Sequence, residues 1–332
     1  MTVTVGQLEA EAPPPAGDES FDTKVVGRSP WQIAKSRFRR DKVSMAAYVI
    51  VLLYVVLALT APIMDKLGII DPQKFNTDLV GGIGSVPTGA HGGISTDHWL
   101  GVEPQTGRDL LSRLVLGVTL SMAVAVVATA FSIIVGTVLG IISGYLGGWW
   151  DFWIGRFIDL VLSFPQLLML LALSPVLLDR IVAIGIPAGN AAQYTYLVFV
   201  LGFFGFPYFA RIIRGQVLSL REREFIEATR SLGARNGRIW FKELLPNLWA
   251  PILVYTTLTL PANISAEAAL SFLGVGIKAP TPTLGNILND SVNYLQPDPI
   301  YFFLPGLFIF TAVLCFNLLG DGLRDALDPK SH

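Results

Sequence analysis

Charged residues are scarce in this sequence: they make up 15% of its 332 residues, against about 25% in soluble globular proteins. The formal net charge is −1, which excludes a strongly basic nucleic-acid-binding protein. The single cysteine, Cys315, excludes an internal disulfide, and His91, His98 and His332 lack the spacing of a zinc site. The sequence also has no phosphate loop, nucleotide-binding fingerprint or catalytic triad signature. We therefore predict that the chain is not an enzyme and binds no cofactor or metal itself.

Long apolar runs take the place of the missing charge, and 52% of the residues are hydrophobic. A helix needs about 20 apolar residues to cross a bilayer core about 30 Å thick. The runs are continuous rather than alternating, which favours helices over a β-barrel. The sequence thus predicts an all-α integral membrane protein with six transmembrane helices. The corresponding stretches lie at about 45–63, within 114–150, within 160–178, within 181–210, at about 248–273 and at about 300–319.

The distribution of basic residues predicts the orientation. Most of the 24 Lys and Arg residues fall in the cytoplasm if the N-terminus lies there, as the positive-inside rule requires. An even number of spans then places the C-terminus in the cytoplasm as well. The predicted order is a disordered cytoplasmic tail at 1–28, a basic segment and the first span at 29–63, an extracytoplasmic segment at 64–113, a core transmembrane domain at 114–320 and a cytoplasmic tail at 321–332.

The core domain contains a large cytoplasmic loop at about 211–247, which has the pattern of a compact helix–turn–helix. We predict a helix from about 218 to 232, ended by Gly233, because glycine is common just beyond a helix C-terminus. Asn236 is predicted to cap a second short helix, and Pro246 to prevent that helix from continuing unaltered. Composition alone leaves a second interpretation open, since alternating charges like those in this loop are also typical of a solvated linker.

The cytoplasmic loop carries a spaced series of residues, namely Glu227, Ala228, Thr229, Gly233, Leu245 and Pro246. This series resembles the motif of the membrane subunits of bacterial ABC importers. Thr229 stands where that family has alanine, and Glu243 stands where it often has an apolar residue or histidine. The resemblance implies that the short helix docks into a cleft of an ATP-hydrolysing subunit. The residues expected to form this docking surface are Glu227, Ala228, Thr229, Leu232, Gly233, Ala234, Leu245 and Pro246.

A second motif precedes the second predicted span, where the chain reads His98-Trp99-Leu100-Gly101-Val102-Glu103 and continues, after Pro104-Gln105-Thr106, with Gly107-Arg108-Asp109. It resembles a signature of dipeptide and oligopeptide permeases, with Val102 and Glu103 in place of the usual Thr-Asp. The resemblance covers roughly 29–329 and implies the type I ABC importer permease fold and the second, C-type, of two membrane subunits. The outer residues expected to face a binding protein are His98, Gly101, Gly107, Arg108 and Asp109.

The resemblance implies a permease subunit that imports dipeptides or oligopeptides across the bacterial inner membrane. Such a subunit forms the pathway with a homologous sister subunit, docks two ATP-binding subunits, expected to differ from each other, and receives substrate from an extracytoplasmic binding protein. ATP and Mg²⁺ are then bound by the partner subunits. Import of nickel chelates, glutathione or another small solute on the same scaffold remains open. The alternatives of other classes are a stand-alone secondary transporter and a membrane scaffold, and neither has a use for the helix–turn–helix.

Two features within the spans have two interpretations each. Glu267 lies toward the outer end of the fifth predicted span, where an ionisable residue is a functional candidate. It either contacts the pathway or outer gate, or makes a structural hydrogen bond at the interface. Gly136, Gly140 and Gly144 place small residues on one face of the second span, which allows close helix contact. We expect that contact within this chain, and the sister subunit is the alternative.

Overall fold

The computed structural model describes residues 30–82 and 84–327. The predicted disordered tail at 1–28 and the last residues of the predicted C-terminal tail therefore lie outside the described residues. The described elements, in chain order, are α1 (Pro30–Arg40), α2 (Lys42–Lys66), a 3₁₀ turn (Thr77–Leu79), β1 (Val80–Gly81), β2 (Val86–Pro87), α3 (Ala90–Gly93), α4 (Leu110–Leu146), α5 (Gly148–Leu162), α6 (Gln166–Ala183), α7 (Asn190–Leu220), α8 (Glu224–Ser231), α9 (Asn236–Arg238), a π-helical turn (Ile239–Leu244), α10 (Leu245–Asn247), α11 (Trp249–Phe272), α12 (Leu284–Ser291), a 3₁₀ turn (Val292–Tyr294) and α13 (Pro299–Leu327).

Five helices in the described part of the chain are long and apolar enough to cross a membrane, namely α2, α4, α6, α7 and α13. The fifth predicted span corresponds to α11, which has 24 residues but includes polar residues such as Asn263 and Glu267. It packs against α4 and α13. The helical membrane fold is confirmed, whereas the count of six spans and the orientation of the termini stay predictions.

The glycine stripe on α4 packs against α7 within this chain. A Cβ atom at Gly140 would lie 2.7 Å from Cβ of Ile213 and 2.8 Å from the carbonyl oxygen of Ala210. Cβ atoms at Gly136 and Gly144 would likewise come within about 3 Å of α7, at Phe209 and at Val217. Because the missing side chains let the two backbones approach, α4 and α7 form the most extensive pair among the described helices. The packing expected within the chain is therefore confirmed.

Several predicted boundaries were wrong. The third predicted span, within 160–178, is interrupted: α5 ends at Leu162 and α6 begins at Gln166. Pro165 lies at this break, and a proline disfavours helical backbone at the residue before it. The fourth predicted span, within 181–210, corresponds to α7, which begins inside that range at Asn190, after Gly185 and Gly189 with their positive φ angles, but continues beyond it to Leu220.

The two ends of the bundle carry different structures. One end holds residues 67–82 and 84–109 together with α12, which cover the N-terminal ends of α4 and α13. Within it, β1 pairs antiparallel with β2, with Val80 opposite Pro87. The other end holds α1, the loop between α7 and α11, and the C-terminal turns of α13. The positive-inside prediction places this second end in the cytoplasm.

Candidate functional site

The loop between α7 and α11 folds as a short helix and a tight turn, but with different bounds from those predicted. The helix does not run from 218 to 232, because α7 ends at Leu220 and α8 starts afresh at Glu224. The predicted cap at Asn236 was also wrong. Asn236 is the first residue of α9, and Arg235 takes the cap position without a side-chain hydrogen bond.

Gly233 ends α8 as predicted, through a specific hydrogen-bonded turn. Its φ angle is +76°, a conformation that glycine adopts without strain. The N–H of Gly233 donates to the carbonyl of Arg230 at 3.0 Å, and the N–H of Ala234 donates to that of Thr229 at 3.3 Å. These two bonds form a Schellman motif, which satisfies carbonyls that the helix end leaves free.

Buried apolar side chains hold this short helix against the membrane helices. Ile226 of α8 is 1% exposed, and it belongs to a cluster with Val217 of α7, Ile239 and Leu244 of the π-helical turn, and Ile141 of α4. Fully burying a side chain of this size contributes about 1.5–3 kcal/mol. Since the cluster joins α8 to α4 and α7, a displacement of α8 pulls on both membrane helices.

The opposite side of α8 faces solvent. Leu232, directly before the turn, is 88% exposed, and Phe241 of the π-helical turn is 70% exposed. Large apolar side chains exposed at one end of a protein are candidates for contact with a partner. Of the eight predicted docking residues, the exposed ones are Glu227, Ala228, Leu232, Gly233 and Pro246, and the half-buried ones are Thr229, Ala234 and Leu245. The structure thus brings them to one end of the bundle, and it contains no partner that tests their role.

The glycines of the outer motif are required by the backbone of residues 67–109. Gly101 has a φ angle of +82°, and a Cβ atom there would collide with the carbonyl of Gly92. Gly107 has a φ angle of +66°, and a Cβ atom there would collide with the carbonyl of Asn76. Both positions therefore exclude a side chain for two reasons: the φ angle is positive, and the backbone of another segment approaches closely.

His98 and Asp109 of the same motif act together at the start of α4. The Asp109 carboxylate accepts from the N–H of Ser112 at 2.7 Å and caps the helix. Its other oxygen lies 2.9 Å from Nδ1 of His98. Both side chains are less than one-fifth exposed. Their contacts position α4, and the predicted contact of this motif with a binding protein stays a prediction.

Glu103, which the sequence marked only as a departure from the family signature, is the centre of a buried charge cluster. Its Oε2 accepts from Nε of Arg108 at 2.6 Å, and its Oε1 lies 2.9 Å from Nε of Arg113. Tyr301 of α13 donates its hydroxyl to Oε1 at 3.0 Å. The three charged side chains are at most 8% exposed. The signal for this role was the acidic residue that the family has at the same position.

Asp290 of α12 lies near this cluster, at the solvent-facing edge. Partial burial raises the pKa of Asp290, the negative charge of Glu103 raises that pKa further, and Arg113 opposes both effects. The cluster therefore combines two arginines with one fully buried carboxylate and one at its edge. It joins the outer segment, α4, α12 and α13 into one unit.

Glu267 is fully buried in the described part of the chain, with 0% of its surface exposed. Ser271 donates its hydroxyl to Oε1 at 2.7 Å, and Oε2 has no hydrogen-bond partner among the described residues. The predicted structural hydrogen bond is therefore present, but within the protein rather than at a solvated interface. A contact of Glu267 with the pathway or outer gate stays a prediction.

Comparison with known proteins agrees with this architecture. Residues 136–332 match the family described as binding-protein-dependent transport system inner membrane component, and residues 29–72 match the N-terminal transmembrane domain of oligopeptide transport permease C. The chain is 36% identical, over 97% of its length and 95% of the relative's, to a dipeptide transport system permease protein of Alkalihalophilus pseudofirmus. It is 37% identical, over 91% of both chains, to a glutathione transport system permease protein of Escherichia coli.

The fold is also found in a solved transporter. The methionine ABC transporter MetNI, in an inward-facing conformation, matches with a TM-score of 0.51 and 21% identity, over 66% of this chain and 98% of that one. The family match, the relatives and the fold together identify a permease subunit of an ABC importer, a multi-pass protein of the bacterial inner membrane. The chain belongs to the family of binding-protein-dependent transport system inner membrane components, within its peptide permease branch. Members of this family work with ATP-binding subunits and a substrate-binding protein.

Proposed function

We propose that this chain is one of two homologous membrane subunits of a peptide importer. Its similarity to a dipeptide permease extends over 97% of the chain, and the N-terminal match is to oligopeptide permease C. The glutathione permease is similar to the same degree, so a short peptide is the substrate class that these relatives share. ATP hydrolysis takes place on two partner subunits, which differ from each other, and this chain binds neither ATP nor Mg²⁺.

The observation that carries the coupling part of this proposal is the geometry of α8. A short helix with an exposed apolar end at Leu232 is fixed through Ile226 to a cluster that includes α4 and α7. A rigid helix of this kind transmits a rigid-body movement of a docked subunit to the membrane helices. The docking surface is formed by Glu227, Ala228, Thr229, Leu232, Gly233, Ala234, Leu245 and Pro246.

The test is purification of the tagged chain in mild detergent, with mass spectrometry of the proteins that accompany it. Recovery of a second membrane subunit and two different ATP-binding subunits supports the proposed composition. The same preparation in liposomes, supplied with the binding protein, is then tested for ATP-dependent uptake of dipeptides, longer peptides and glutathione. Uptake of none of them, with an assembled and ATP-hydrolysing complex, contradicts the substrate class.

A further inference from the structure

A cleft of about 560 Å³ opens on one side of the bundle, between α4, α6, α7 and α11. Most of its walls are apolar, but polar groups from all four helices line it. These polar residues are Ser132, Gln166, Tyr208, Tyr255, Thr259 and Asn263. None of the described residues that line the cleft is charged.

Tyr208 and Asn263 lie at the middle depth of their helices, and Gln166, the first residue of α6, lines the same cleft. At 1.5 Å per residue, Tyr208 is about 27 Å from the first residue of α7 and about 18 Å from the last. Asn263 is about 21 Å from the first residue of α11 and about 14 Å from the last by the same measure. Polar side chains at this depth face the bundle interior or a water-filled cavity rather than lipid.

Several of these groups remain available for hydrogen bonding. Asn263 donates its amide to Thr129 at 2.9 Å, which leaves the amide oxygen free to accept. The side chains of Gln166 and Tyr208 make no hydrogen bond with any described residue, and Tyr208 is 61% exposed. In lipid, such groups would remain unsatisfied at a cost. A hydrated path satisfies them.

We propose that this cleft is the part of the translocation pathway contributed by this chain, and that it contacts passing peptides through uncharged hydrogen-bonding groups, without selecting on peptide charge. The proposal rests on the proposed peptide-import function. A transported molecule must be held weakly enough to leave. A fixed charge at this depth would hold one charged end of a peptide strongly and repel the other.

Gln166→Glu tests the charge argument, since it adds a negative charge at an exposed position of the cleft with almost no change in shape. The complete importer is reconstituted in liposomes, and uptake of a lysine-containing and an aspartate-containing dipeptide is compared. The binding protein's own preference cancels when the variant's uptake ratio is divided by that of the wild type. We expect the uptake ratio of the lysine-containing to the aspartate-containing dipeptide to be about tenfold higher in the variant than in the wild type. Gln73→Glu, the same change at an exposed position of the outer segment, leaves the ratio unchanged.

An unchanged ratio in Gln166→Glu, with wild-type peptide uptake intact, overturns the proposal but not the proposed function. Absence of peptide uptake by the wild-type importer overturns the proposed function itself.

A second measurement decides the outcome if Gln166→Glu does not assemble. Tyr208→Cys and Phe310→Cys are treated with a charged, water-soluble thiol reagent in the assembled importer. The two native side chains are 61% and 60% exposed, but Phe310 lies on α13, away from the cleft. The native Cys315 is buried, so the wild type gives the background. We expect Tyr208→Cys to react and Phe310→Cys not to. Equal protection of both means that lipid or the sister subunit fills the cleft, and it overturns the proposal.

Discussion

Replacing Glu103 with alanine leaves two buried arginines without their carboxylate. Arg108 and Arg113 lie 2.6 Å and 2.9 Å from its oxygens, and both are at most 8% exposed. Removing one partner of a buried ion pair costs about 3–5 kcal/mol, because the remaining charge is desolvated and uncompensated. Tyr301 also loses the acceptor of its hydroxyl. We expect this destabilisation at the outer end of the bundle, where the cluster joins α4 to α13.

The assay is thermal unfolding of the purified chain in detergent. An unfolding entropy of about 2.1 cal/mol/K per residue gives roughly 1.4 °C per kcal/mol for 332 residues, so Glu103→Ala is expected to lower the melting temperature by roughly 4–7 °C. Glu103→Gln keeps the shape of the side chain and one acceptor oxygen, so we expect a smaller decrease in its melting temperature. Asp78→Ala removes an exposed carboxylate from the same outer segment and changes stability by less than about 0.5 kcal/mol. If Glu103→Ala and Asp78→Ala melt within about 2 °C of each other, the cluster does not stabilise the fold.

Two further predictions concern the contacts of α7. Gly140→Ala places a methyl group 2.7 Å from Cβ of Ile213. We therefore expect the unfolding free energy, measured by denaturation, to fall by about 1–3 kcal/mol. Gly155→Ala is the control and is not destabilised, because a Cβ atom there has nothing within 4 Å. Asp151 accepts from Arg214 at 2.5 Å and 2.8 Å, and these hydrogen bonds lower the pKa of Asp151. This lowered pKa stabilises the fold above the unfolded value of about 3.9, and the gain is lost as the pH falls through the folded value. Asp151→Asn should therefore cost about 0.2–1 kcal/mol near pH 7, reduced by solvent exposure of the pair, and nothing in strong acid. A difference from wild type that persists undiminished in strong acid would refute the ion-pair explanation.

Much of this architecture could be predicted because span length, helix ends and small-residue stripes are set by residues that are close together in the sequence. The apolar runs gave the membrane helices, since the length needed to cross a bilayer is fixed. Gly233 was predicted to end a helix, and it does so with a φ angle of +76°. The small residues at Gly136, Gly140 and Gly144 predicted a close helix contact, which α7 makes. Boundaries such as the break at Pro165 were less predictable, because a proline inside an apolar run either bends or ends a helix.

Pairings between distant segments could not be predicted from the sequence alone. Glu103 and Tyr301 are 198 positions apart, and neither position carries a local signal of the other. The burial of Glu267 is a similar case: its place on α11 was foreseen, but the packing that excludes water from it comes from other segments. For the outer motif, the sequence indicated function, and the structure adds a backbone reason for Gly101 and Gly107.

The proposed coupling of a partner ATPase to the membrane helices through the α8 turn is tested by Gly233→Pro. Proline cannot adopt the φ angle of +76° and lacks the N–H that bonds Arg230. Asn236→Pro is the matched control, because Asn236 is the first residue of α9 and Arg235 before it is already extended, which is the backbone that a proline requires. In the reconstituted importer, we expect Gly233→Pro to insert and to assemble with its sister subunit but to lose ATP-driven uptake, while Asn236→Pro retains it. Normal ATP-driven uptake by Gly233→Pro would mean that the α8 turn does not couple the ATPase to the membrane helices.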